Sequence, residues 1–166
     1  MKKNHKNSDL VRNIIFGLED GFVSTSGVLF GIATATFNSR YIFIAGVITV
    51  IVEASSMGIG AYLSEKEADE LTKSNHVKRI RQIIDGIVMF SAYLIAGIVC
   101  ISPYLIWDVK TAMIISVSIT MLGLFFVGYL PKQNIARGVE VTLLAGFAIL
   151  IGYAAGNWLQ QLDAVS

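Results

Sequence analysis

The 166-residue chain holds one cysteine, two prolines and two histidines, and only 15% of its residues are charged. A single Cys100 excludes a disulfide framework and a thiolate zinc cluster. His5 and His76 both lie outside every long apolar run. That argues against a membrane enzyme built on the Glu-x-x-His pattern of carboxylate-bridged metal pairs, and no enzymatic activity is expected. Proline scarcity leaves the apolar runs free to form unbroken helices. Pro103 falls near the outer end of one run, where few backbone bonds lie beyond it. Soluble domains carry roughly a quarter charged residues, so the low charge is itself informative.

What fills the chain instead is apolar: 54% of residues are hydrophobic and the mean hydropathy is +0.65. A spanning helix needs about 20 mostly apolar residues. Residues 14–37, 41–63, 86–107, 111–130 and 138–159 meet that requirement. They leave no room for a separate soluble domain, so the expected fold is all-α, a single five-span membrane domain over residues 1–166. The basic start is not followed by a clean apolar signal segment, because Glu19 and Asp20 interrupt it. Of the thirteen Lys and Arg residues, only Arg40 and Lys110 fall on one side of the spans. The positive-inside rule then places the N-terminus in the cytoplasm and the C-terminus outside. Tyr41, Trp107 and Trp158 suit the outer interface, and Tyr62 and Tyr129 the inner one. The expected setting is a lipid bilayer, the cell membrane in a prokaryote or a vacuolar-type membrane in a eukaryote. No nucleic-acid partner is expected.

The outer loops, "NSR" and "DVK", are short enough to make antiparallel hairpins. The cytoplasmic connection, residues 64–85, begins acidic with Glu65, Glu67, Asp69 and Glu70 and ends basic with Lys78, Arg79 and Arg81. These acids, with Glu19 and Glu140, are candidates for a cation-attracting cytoplasmic entrance. The alternative is a self-paired helix along the membrane surface. Its imidazole, His76, reads as solvent-facing.

Chemistry concentrates in the first two spans. Stepping along span one from Asp20 by fours and threes meets Ser24, Gly27, Gly31, Thr34 and Asn38. The same steps from Glu53 in span two meet Thr49 and Gly46 one way, and Ser56, Gly60 and Ser64 the other. Each span therefore has one narrow polar face. Gly27 and Gly31 suit a helix-packing seam of the GxxxG kind, and Ser24, Ser56 and Gly60 suit packing or path lining. The small stripe of span one also fits a seam between two copies of the chain. A carboxylate in such a face is a functional candidate, because an ionised acid at a helix centre costs on the order of 2.5–3.5 kcal/mol. At 1.5 Å per residue, Asp20 and Met57 each lie roughly 9 Å inside the cytoplasmic end of their spans. Glu53 is one turn deeper. Meeting faces would make a ladder of two carboxylates with a thioether between them. Oxygen ligands with one soft sulfur favour Fe(II), Mn(II) or Co(II) over Ca(II). In a dry path an empty carboxyl holds a proton and a divalent cation displaces it. Asp20 and Glu53 are thus candidates for both metal binding and proton coupling.

"DGFVSTSGVLFGIATA" and "EASSMGIGAYLSEKEADE" resemble the vacuolar iron transporter family, with weaker likeness at "ISPYL" and "GVEVTLLAGFAILIGYAAG". The resemblance implies a homodimer that exports cytosolic Fe(II), often with Mn(II), in exchange for protons along a path near the dimer axis. It implies that Asp20, Glu53 and Met57 line that path. The metals are transported ions, and no tightly bound cofactor is expected. Characterised members carry a helical metal-binding domain between spans two and three, and the 64–85 segment is too short for one. The chain therefore resembles a shortened member. A non-transporting membrane metal sensor or assembly partner is the alternative reading.

Overall fold

The computed structural model describes the backbone of residues 2–71 and 79–163, and the side chains of 9–71 and 79–162. The reading of His76, and the middle of the 64–85 connection, fall outside the described residues. The chain is helical throughout: α1 (Lys2–Thr36), α2 (Ser39–Leu71), α3 (Arg79–Ile101), α4 (Pro103–Ile106), α5 (Val109–Tyr129) and α6 (Ile135–Asp163). Five helices are long and apolar enough to cross a membrane, with α3 and α4 together forming the third span.

Each turn is set by a polar side chain that replaces missing backbone partners. Asn38 accepts from the amide of Arg40 at 3.0 Å to start α2, and Asn134 from that of Ala136 at 2.9 Å to start α6. Asp108 caps α5 by accepting from the Thr111 amide at 3.1 Å. Bonds from Thr111 hold the Asp108 carboxyl below the usual carboxylate range. The third span is interrupted at Pro103, whose ring nitrogen has no hydrogen to continue the ladder. Beyond it, Leu105 bonds back only to Ser102, a tighter turn.

The first helix sits among the others, packing on α2, α3, α5 and α6. From Gly17 to Ala35 it has no exposed residue. Outward faces of α2 and α6 carry the opposite pattern, with Ile48, Val52, Ile59, Leu143, Phe147 and Leu150 all exposed. Such a surface is stable only against lipid tails.

Glycines set the helix spacing. Along α1, Gly27 and Gly31 face Gly152 and Gly156 of α6, so two small-xxx-small motifs meet backbone to backbone. A Cβ added at Gly31 would stand 2.8 Å from the Gly152 carbonyl oxygen. This corrects the expectation that the small stripe of span one joins two copies: Gly27 and Gly31 are used inside the protomer. A similar approach holds α3 to α1, where a Cβ at Gly21 would stand 2.8 Å from the Tyr93 carbonyl oxygen.

Gly152→Leu is expected to lower stability in detergent by about 1–3 kcal/mol, because the added side chain meets backbone that has no rotamer to yield. Gly146→Ala on the same helix is the control, since its Cβ would meet only Met121 Cε at 3.5 Å. Thermal unfolding of both purified variants checks the contrast.

Candidate functional site

The adjacent acids of α1 turn to different neighbours. Asp20 is half-buried and lies within electrostatic reach of Glu53 on α2. Glu19 interacts instead with Arg137 of α6. With Arg12, Asn13 and Arg137 it lines a cavity of about 580 Å³ at the cytoplasmic end. Its Oε1 is buried with no hydrogen-bond partner among the described residues. The helix period explains the split, since successive residues are about 100° apart around the axis.

Glu53 is held from a third helix. The Tyr93 hydroxyl of α3 donates to Glu53 Oε2 and shares a second hydrogen bond with Ser24 Oγ on α1. Ser24 also donates to the Asp20 carbonyl oxygen at 2.8 Å. Tyr93 is wholly buried, so no water competes for these bonds. The two carboxylates are therefore joined through one tyrosine and one serine on three helices. Sequence reasoning passed over Tyr93. Its one signal is position: it lies mid-span, far from the interfaces where membrane tyrosines gather.

Met57, one turn from Glu53 toward the cytoplasm, lines a cavity of about 460 Å³ with Ser56, Gly60, Ser64, Glu65 and Met89 among others. A Cβ at Gly60 would meet nothing within 4 Å, and Ser56 is exposed. The polar stripe of α2 is thus open along its cytoplasmic half. Among the described residues no three or more His, Cys, Asp or Glu side chains gather closely enough to hold a metal. One protomer offers two carboxylates and a thioether.

The cytoplasmic acids divide between structure and solvent. Glu65 pairs with Arg12 at 3.8 Å, and Asp69 accepts from Gln82 Nε2 at 2.9 Å. Glu70 pairs with Lys66 one turn away at 3.9 Å, and Glu67 and Glu140 are exposed. Deeper lies a cluster not foreseen from the sequence. Asp85, its side chain 1% exposed, faces Arg81 Nε at 3.7 Å and accepts from Asn13 Nδ2 at 3.2 Å. Arg81 also pairs with Asp9 of α1. These contacts pin the start of α3 against the cytoplasmic half of α1.

Five lipid-facing helices around an enclosed polar helix define a polytopic integral membrane protein with carboxylates inside its bundle. The model of the VIT family matches residues 11–85, the stretch that carries Asp20, Glu53 and Met57. A "Vacuolar iron transporter 1" of Tulipa gesneriana is 23% identical over 97% of this chain and 92% of that protein. A "Vacuolar iron transporter" of Centaurea cyanus is 33% identical, over 63% of this chain and 44% of the relative. An uncharacterized protein of Methanocaldococcus jannaschii is 29% identical over 75% of this chain and 76% of its own. The chain belongs to the VIT family. The tulip alignment runs over 226 positions against 166 residues here, so the relative holds residues inside the aligned region that this chain lacks.

Arg81→Ala is expected to cost about 3–5 kcal/mol, the range for stranding a buried charge by removing its partner. Asp85→Asn in the same chain should restore most of the loss, which thermal unfolding of the single and double variants measures.

Proposed function

We propose that the chain exports Fe(II), and Mn(II) with it, from the cytoplasm in exchange for protons. The observation that carries this reading is the convergence of Asp20 and Glu53 inside the bundle. Two carboxylates within electrostatic reach repel each other when both are ionised. Either a divalent cation or protons relieve that repulsion, so the two cargoes compete for one place. Met57 supplies a thioether on the open face of α2, which biases the path toward softer divalent ions than Ca(II). The family match over α1 and α2, and relatives named as vacuolar iron transporters, support a metal-transport role.

The functional unit is a homodimer in this reading. Ser56 and Gly60 leave the polar stripe of α2 uncovered, and a second copy would both shield it from lipid and add donors to an incomplete ligand set. Metal enters from the cytoplasmic side, past Glu65 and the cavity beside Met57. Protons return through the same carboxylates from the opposite side.

Uptake of Fe(II) and of Mn(II) into proteoliposomes, with and without an imposed pH gradient, tests the proposal. Gradient-driven flux is expected in wild type and is lost in Asp20→Asn and Glu53→Gln. Met57→Leu is expected to keep flux while losing preference for Fe(II) over harder divalent ions. Flux indifferent to the gradient would overturn the exchange. Metal binding without any flux would mean a sensor or assembly partner.

A further inference from the structure

The hydrogen bonds around Glu53 can be counted, and the count has a consequence. Three contacts lie in series: Glu53 Oε2 to the Tyr93 hydroxyl, Tyr93 to Ser24 Oγ, and Ser24 to the Asp20 carbonyl oxygen. A tyrosine and a serine hydroxyl each carry one hydrogen, and an ionised carboxylate carries none. All three contacts are hydrogen bonds together only when Glu53 supplies the third hydrogen. The protonated acid then donates to Tyr93, Tyr93 to Ser24, and Ser24 to the backbone of Asp20. When Glu53 is ionised the direction reverses. Tyr93 turns its hydrogen to the carboxylate, Ser24 turns its own to Tyr93, and the Asp20 carbonyl loses its side-chain donor.

We propose that Tyr93 is a positioning residue that transmits the protonation state of Glu53 on α2 to α1 at Asp20. The proposal rests on the reading of Glu53 as the proton-exchanging acid. The titratable groups that interact with Glu53 are Asp20 from α1 and Tyr93 from α3. Its own helix contributes the uncharged Thr49, Ser56 and Met57 one turn away. Thr25, also on α1, is wholly buried with its hydroxyl lacking a hydrogen-bond partner among the described residues. It lies close enough to Tyr93 to interact with it and offers a second group on α1 when the chain of hydrogens reverses. Because Tyr93 is enclosed, the reversal happens within the protein and not through exchange with water. Loading or emptying Glu53 thereby changes what α1 bonds to one turn from the second acid. Two acids on separate helices then act as one unit.

The test reads the carboxyl directly, so it stands apart from transport. Infrared difference spectra of the full-length protein in lipid nanodiscs, taken across a pH series, give the carbonyl stretch of protonated carboxyls. The Glu53 band is the one lost in Glu53→Gln. In Tyr93→Phe this band should shift to higher frequency, because the acid no longer donates to a hydroxyl. Its pH midpoint should move by about one unit or more, the roughly tenfold change expected when a hydrogen bond to a charged group is removed. Ser24→Ala keeps Tyr93 in place and should produce a smaller midpoint shift of the same sign, which guards against a fold defect in the tyrosine variant. In proteoliposomes, Tyr93→Phe added to Glu53→Gln should have no further effect. An unchanged Glu53 band in both Tyr93→Phe and Ser24→Ala would overturn the proposal, as would additive effects in the double variant. A wild-type spectrum with no pH-sensitive Glu53 band would also overturn it, since there would be no proton state to pass on. Loss of the transport reading alone, with the band shifts intact, would leave the coupling standing as a property of a sensor.

Discussion

The structure depends on the enclosure of its first helix. Span one is the least hydrophobic of the five, and it carries Glu19, Asp20 and a run of serines and threonines. In contact with lipid such a helix would leave polar groups without partners, each costing several kcal/mol. Four neighbouring helices remove the problem by covering α1 from Gly17 to Ala35. The polar residues then become internal, and their hydrogen bonds are made to protein. The oily outer helices and the polar inner one are two halves of a single arrangement.

Enclosure requires close approach, and close approach requires glycine. The α1–α6 contact is made by backbone against backbone, with Gly27 and Gly31 opposite Gly152 and Gly156. On the other side, Gly21 lets the backbone around Tyr93 come near enough for its hydroxyl to reach between Ser24 and Glu53. Packing and chemistry are therefore not separable. A bulkier residue at Gly21 would push α3 away and take the tyrosine out of reach of the carboxylate. At the cytoplasmic end, the Asp9–Arg81–Asp85–Asn13 cluster performs the same positioning by charge where glycine contacts give way to polar side chains.

Much of this was readable from the sequence, and the boundary has a physical cause. Long apolar runs declare spanning helices by composition alone, and the five expected spans match five helices that could cross a membrane. Asp20 and Glu53 stood out because a charge in an apolar run is anomalous by itself. Tyr93 did not stand out: a tyrosine in a greasy helix is ordinary until its partners on two other helices are known. Asp85 and Asn13 were hidden in the same way, since each lies at the polar edge of a span and only the fold buries them. The glycines were legible as a motif but not as a pairing. A small-xxx-small pattern says that a helix can approach something closely, and the matching pattern at Gly152 and Gly156 decides that it is α6.

The α1–α6 contact also joins the first helix made on the ribosome to the last. Until the end of α6 emerges, α1 lacks one of its covering walls, and until α3 arrives Ser24 has no tyrosine to bond. The least hydrophobic span is thus made before the helices that make it tolerable in lipid. Synthesis proceeds from the N-terminus, and contacts far apart in sequence are slow to form. During biogenesis α1 is therefore a segment waiting for shelter, held near the insertion machinery or the membrane surface until the later helices close around it. Shortening or deleting α6 should be felt first at the opposite end of the chain, as a failure of α1 to settle.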